Sequence, residues 1–168
     1  MPDHTIGKTV DEQPPCGLYR TRNAIGNTIP TGALVYYHNH GNPGPGVYLP
    51  SGWKNNRARF GNGGTTVPDE RYAQTLEPLP AEGLYRVAQP FFCCEKHCFQ
   101  YHPNQLVQLG YNRKAEPLLF VPRWVDDTLE LPTAGTRVDE AALANLEVLK
   151  VAKGDAENTV VSGSAVLN

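Results

Sequence analysis

The stretch Gly17-Leu18-Tyr19-Arg20 returns as Gly83-Leu84-Tyr85-Arg86. Downstream of the first copy the chain runs through ALVYYHN (33–39), a Gly/Pro turn and GVYLPSGW (46–53). Downstream of the second it runs through LVQLGYN (106–112), a polar turn and PLLFVPRW (117–124). After Trp53 and Trp124 the parallel continues: GTTVPDERYAQTLEPL (64–79) lies against GTRVDEAALANLEVL (135–149) with one gap. One word repeated is chance. Several landmarks recurring in the same order are the mark of a tandem duplication.

Each copy reads as a series of short strands. The GLYR segments open strands, and 33–39 and 106–112 are rich in β-branched and aromatic residues. HGNPGPG (40–46) and NRKAE (112–116) read as the turns that make them hairpins. Pro68–Thr75 suits a short helix with proline early in it. Asp139–Leu149 suits a longer one, with Asp139 as N-cap. With 16 glycines, 15 prolines and 40% apolar residues, the composition favours a turn-rich β fold with enough apolar mass for a core. In element order each copy resembles the SH3-like class. The expectation is therefore a mainly β protein of two tandem, duplicated small β-barrels with short helical turns. The first barrel spans 17–82 and the second 83–153, between an N-terminal arm (1–16) and a C-terminal tail (154–168). Such small barrels are marginal alone, so the two should pack together across the short link at Pro80-Ala81-Glu82. Both tryptophans, kept in both copies, are expected to be buried. Leu118-Leu119-Phe120-Val121 is apolar on both faces, where a half-exposed strand would alternate. Leu118 and Phe120 are therefore expected to face the first barrel or another chain.

The copies differ most between GLYR and the next strand. The first spends thirteen residues there (Thr21 to Ala33) and the second nineteen (Val87 to Gln105). The longer loop holds FFCCEKHCFQYH (91–102), with three of the four cysteines and two of the five histidines. Cys94, Cys98 and His102 offer two thiolates and an imidazole. Cys93, His97 or the distant Cys16 would complete a tetrahedral zinc shell of structural role. The spacing is not the common C-x2-C pair, and buried thiols or a disulfide are the competing readings. His38-Asn39-His40 spells HNH, but as a tripeptide rather than a residue set spread over a ββα unit. Alternation puts both histidines on one face with no third ligand nearby in sequence, so they read as turn histidines.

Lys54-Asn55-Asn56-Arg57-Ala58-Arg59-Phe60 is the one dense basic run. The second copy has the acidic 125–131 in its place. With a net charge of −2, this argues against a nucleic-acid groove. There is no phosphate loop, dinucleotide fingerprint, nucleophile elbow or HExxH. The serines are Ser51, Ser162 and Ser164, two of them in the tail, and no acid–base pair stands out. The N-terminus lacks an apolar signal region and no apolar run is long enough for a membrane helix, which gives a cytoplasmic expectation. Val160, Val161 and Leu167 give the tail short apolar runs suited to adding to a neighbour's sheet edge. The functional expectation is a non-enzymatic structural or adaptor subunit of a larger assembly (a phage-like particle, a tail or injection apparatus, or a filament). It would act through protein partners by self-association or hetero-assembly. The alternative is a zinc-stapled binding module recognising a peptide or nucleic acid.

Overall fold

The computed structural model describes residues 13–42 and 44–152. Val160, Val161, Leu167, the tail and most of the arm lie outside the described residues. The first half contains β1 (Gly17–Arg20), β2 (Leu34–His38), β3 (Gly46–Tyr48), β4 (Pro50–Lys54), β5 (Arg57–Phe60), β6 (Thr65–Thr66), helix α1 (Glu70–Gln74) and β7 (Glu77–Pro78). The second contains β8 (Gly83–Val87), β9 (Phe91–Phe92), β10 (Gln100–Tyr101), β11 (Leu106–Tyr111), β12 (Pro117–Phe120), β13 (Arg123–Val125), β14 (Thr128–Glu130) and β15 (Thr136–Arg137). A 3₁₀ helix (Glu140–Asn145) and β16 (Leu146–Val148) complete it. The protein is mainly β.

The strands form two five-stranded sheets, ordered β6-β3-β2-β1-β7 and β15-β12-β11-β8-β16, and three two-stranded ribbons, β4-β5, β9-β10 and β13-β14. The two sheets have one order, strand for strand. Among the described residues neither closes into a barrel; each is an open sheet with β6 and β7, or β15 and β16, at its edges. The expected closure fails because β6 does not pair with β7, nor β15 with β16, and the β4-β5 and β13-β14 hairpins stand as separate ribbons instead of bridging those edges.

The register explains why GLYR is written twice. Tyr19 and Tyr85 point inward, and each hydroxyl donates to the carbonyl four residues back, Pro15 at 2.7 Å and Ala81 at 2.6 Å. A buried phenol needs such an acceptor. Arg20 faces Glu77 across the first to last strand pairing, and Arg86 faces Glu147 at the same place in the second sheet. Each pair is an opposite-charge cross-strand contact. The tetrapeptide thus sets the first strand between the second and the last. Backbone bonds repeat as well: Thr21 N–H to Ala33 and Val87 N–H to Gln105, Leu79 N–H to Leu18 and Leu149 N–H to Leu84, Val67 N–H to Pro45 and Val138 N–H to Pro117.

Two helical expectations need correction. Asp69 caps α1 by accepting from the Tyr72 N–H at 2.8 Å, so the helix starts after Pro68. The stretch 139–149 is not one helix. Asp139 precedes a 3₁₀ turn without a side-chain cap bond, and Leu146–Val148 pairs with β8. Completing the sheet with that strand outweighs helix propensity in so short a segment.

Each sheet packs its inner face into its own core, with Tyr19, Val35, Tyr37, Val47 and Tyr72 in the first, and Tyr85, Val107, Leu109, Tyr111 and Leu119 in the second. The second core also draws in Leu18, Leu34, Ala58, Phe60 and Leu79 from the first half. The halves are joined by the β4-β5 hairpin, which turns at Asn55 (φ 53°) and Asn56 (φ 64°), the left-handed pair of a type I′ turn. Its tip lies on the outer face of the second sheet. Trp53 Nε1–H donates to the Tyr111 carbonyl at 2.9 Å, and Asn56 Nδ2–H to Gln108 Oε1 at 3.1 Å and to the Pro132 carbonyl at 2.9 Å. Gln108 Nε2–H returns a bond to the Asn55 carbonyl at 3.0 Å. Arg20 crosses to Glu140 at 2.9 Å and to the Ala115 carbonyl at 2.8 Å.

The apolar demand of 118–121 is met inside this chain. Phe120 is 5% exposed, with Gly110 and Gly135 against its ring, and Leu118 is half-buried. The expectation of buried tryptophans fails at both: Trp53 is 37% exposed, although tied to the second half, and Trp124 is 74% exposed. The β13-β14 hairpin has the same form as β4-β5, turning at Asp126 (φ 45°) and Asp127 (φ 64°), but among the described residues no further sheet stands beneath it.

Two outcomes follow for stability. A Cβ on Gly110 would lie 2.7 Å from the backbone oxygen of Asn56, so Gly110→Ala should destabilise the protein by about 1–3 kcal/mol in chemical denaturation. An unchanged midpoint would mean the hairpin is not held there. Glu82 takes the Ala58 N–H at 3.1 Å, yet burial raises its pKa above the ordinary 4.5, the bond from Ala58 opposing. A carboxyl whose folded pKa is raised favours folding below its unfolded pKa, and that contribution is lost as pH rises through the folded value. Stability should therefore fall from acid toward neutral pH on its account, and Glu82→Gln should flatten that part of the pH profile.

Candidate metal centre and adjoining groove

Antiparallel pairing of β1 with β2 sets Gly17 opposite Tyr37, which brings Cys16, one residue earlier, to the end of β2. There its Sγ lies 3.7 Å from His38 Nδ1 and 3.8 Å from His40 Nδ1. The three ligand atoms all fall within 4.8 Å of one another. The two imidazoles sit with ring centroids 3.9 Å apart, as two side chains on one face of a strand end. Tetrahedral zinc, with Zn–S ~2.3 Å and Zn–N ~2.0 Å, needs S···N edges of about 3.5 Å. The observed separations are close to that before any ion draws them in.

Asn39, between the two histidines, organises the cluster. Its backbone N–H donates to the Cys16 sulfur at 3.3 Å, its Oδ1 accepts from the thiol at 3.2 Å, and its Nδ2–H donates to the Pro14 carbonyl at 3.2 Å. Asn39 Oδ1 also lies 2.8 Å from His40 Nδ1. The backbone donor to sulfur is what a thiolate ligand needs, and support of this kind orients and tunes a metal ligand. Gly41 (φ 121°) turns the chain directly after His40. With two imidazoles and one sulfur, the donor set suits a borderline ion such as zinc and leaves one coordination position for a further ligand.

The other sequence-predicted ligands are arranged differently. Cys93 is buried, with its N–H bonded to the Phe99 carbonyl and its sulfur 3.6 Å from Cys94 Sγ. The Lys96 backbone N–H, and after it Cys93, hold the Cys94 thiol below its ordinary pKa, while the contact with Cys94 pushes Cys98 up. Cys94 and Cys98 thus form a thiol pair at the surface. The exposed His102 is tied through its backbone N–H to Gln105. His97 stacks on Phe92 at 3.9 Å. All four cysteines are free thiols. Among the described residues, the group of three whose ligand atoms converge is Cys16, His38 and His40, not a set within 91–102. Cys16 thus serves the histidine pair for which the sequence offered no third ligand. The signal was available in principle: pairing GLYR with VYYH in antiparallel register places Cys16 beside His38.

The Cys16, His38 and His40 cluster borders two adjoining depressions. A cleft of about 740 Å³ opens between β1 and β5, with Cys16, Leu18, Tyr36, Arg57 and Glu82 among its walls. A groove of about 400 Å³ adjoins it, between the outer face of β2-β3 (Tyr36, His38, Tyr48) and β5 (Arg59, Phe60). The rings of Tyr36 and Phe60 lie 5.7 Å apart at its floor. The basic run 54–60 is the β4-β5 hairpin, and its Trp53 ring is covered by Arg113 at 5.0 Å, so that indole is not a free stacking platform. No protein-family model matches this sequence, no curated protein matches it, and no solved structure matches its fold.

Proposed function

We propose that this chain is a non-enzymatic structural subunit of a larger protein assembly, built by duplication of one small SH3-like β unit and joined to its neighbours through hairpin-on-sheet contacts. The observation that carries this reading is Trp124. An indole 74% exposed at the start of an acidic hairpin, with Leu129 and Leu131 also exposed, is an apolar patch of the kind that marks a protein-interaction site. Its counterpart Trp53 is spent on just such a contact inside the chain. The tail residues Val160, Val161 and Leu167 belong to the same proposal as a second tie to a neighbour. Among the described residues no helix is long and apolar enough to cross a membrane.

A second feature is proposed on the strength of Cys16, His38 and His40: a structural zinc ion that clips the segment before β1 to the end of β2. It would fix the 40–45 turn and the rim of the groove, as a metal stiffens a marginal small unit. Held this way, the first unit would become the zinc-stapled binding module of the alternative reading, with the groove as its recognition surface for a peptide.

Light scattering on the intact protein should give a mass above one chain that rises with concentration. In a Trp53→Phe variant the emission of Trp124 should move to shorter wavelength as association proceeds. Persistent monomer with unmoved emission, also in the presence of fractionated source extract, would sink the assembly reading. Elemental analysis after zinc loading should find about one ion per chain, lost in Cys16→Ala and in His38→Ala. Retention of zinc in those variants and its loss in Cys94→Ala would transfer the site to the 91–102 loop.

A further inference from the structure

We propose that the partner is a second copy of this chain, whose β13-β14 hairpin enters the groove on the first unit of the next molecule, so that copies join head to tail. This rests on the assembly reading above and names its partner and its surfaces.

The first argument is the fate of equivalent residues. Leu18, Ala58 and Phe60 of the first unit pack into the second core, and Trp53 bonds to Tyr111. Their counterparts are set by register. Leu84 stands at the second position of GLYR. Trp124 and Leu129 face each other across β13-β14 as Trp53 and Ala58 do across β4-β5. Leu131 follows Glu130 as Phe60 follows Arg59. All four counterparts are exposed. The second unit therefore carries the surface that the first unit partly covers against the second core, with leucine even where the first has alanine, and among the described residues it has nothing to pack it against.

The second argument is the receiving surface. In the second unit the Asn55-Asn56 tip sits over Gln108 and Gly110, with Phe120 paired beside them. The equivalent positions of the first sheet are Tyr36, His38 and Tyr48, and these line the open groove of about 400 Å³. His38 stands where Gly110 lets a backbone oxygen approach closely, so the incoming tip must stay a side chain's length away. The third argument is charge. The tip to be inserted is Asp126-Asp127, with Glu130 behind it, and the groove wall presents Arg59, with Arg57 on the same strand. Acidic side chains reaching toward Arg59 and His38 fit that stand-off, and matched charges fix register and choose the partner. Because donor and acceptor surfaces differ, the contact is heterologous and repeats into a filament or a ring, not a closed two-fold dimer.

The test uses native mass spectrometry and sedimentation on the full chain with two surface variants, Trp124→Ser on the donor hairpin and Arg59→Glu in the acceptor groove, both checked by circular dichroism for a native spectrum. Wild type should show a ladder of oligomers that shortens at high salt, as surface charge pairs are screened. Each variant alone should associate at least tenfold more weakly. Mixed together, they should form complexes that stop at two chains, because one intact donor meets one intact acceptor and nothing remains to extend. A wild type that stays monomeric overturns the head-to-tail contact while leaving assembly with a different protein open to the fluorescence test above. Oligomers that persist equally in both variants overturn it in favour of self-association through another surface. A mixture no larger than its components overturns the pairing of these two surfaces.

Discussion

The contact between the Asn56 carbonyl and the bare backbone of Gly110 is the constraint on which the two-unit architecture depends. Each sheet is small, open and edged by strands of two or three residues, so neither buries enough apolar surface to stand comfortably alone. What makes them one body is the first hairpin, which crosses to the second sheet and completes its outer face. That crossing needs a turn tight enough to present carbonyls and amides at its tip, which Asn55 and Asn56 supply by tolerating left-handed backbone. It also needs a place with no side chain to receive it, which Gly110 supplies. Gln108, a buried polar residue, is the consequence. It is tolerated because the tip answers its amide nitrogen through the Asn55 carbonyl and its oxygen through Asn56 Nδ2–H.

From this contact comes the asymmetry of the molecule. Both halves carry a hairpin and a sheet face of the same form, yet among the described residues only one such joint is closed, and the second hairpin and the first groove stand open. The second hairpin carries Trp124 and Leu129 behind an acidic Asp126-Asp127 tip, and the first groove has Arg59 and Arg57 beside it. In the proposed head-to-tail contact these opposite charges would let the two surfaces meet and would keep each from mating with the wrong half of the internal joint, whose tip is neutral Asn-Asn on a neutral face.

Much of this was legible in the sequence, and what was not has physical reasons. The strands and the repeat were readable because alternation and the GLYR landmarks are local. The barrel was not excluded, because closure depends on which edge strands pair, and no periodicity reveals that in two residues. The paired turns at 55–56 and 126–127 were hidden by their neighbours: they sit inside a basic and an acidic run, and charge drew the eye from the Asn-Asn and Asp-Asp pairs that mark a type I′ turn. Trp124 was misjudged because a shared residue was taken to imply a shared environment. The two indoles hold the same place in the hairpin, but environment is set by what lies beyond it.

The Cys16, His38 and His40 cluster shows the same limit in chemical form. Its residues are separated by the whole excursion from β1 to β2, so composition pointed instead to the denser loop at 91–102, where cysteines are adjacent but their side chains serve packing and each other. Proximity in sequence is a poor guide to ligands when a strand register does the assembling. The cluster also has a location that matters. His38 occupies the position that Gly110 holds in the second unit, and Cys16 occupies that of Glu82, the acceptor of the Ala58 N–H. The first unit thus carries metal-ligating residue types at the two positions whose counterparts seat the internal hairpin in the second. A metal there would stiffen the acceptor rim through the 40–45 turn and leave its open coordination position at the groove edge.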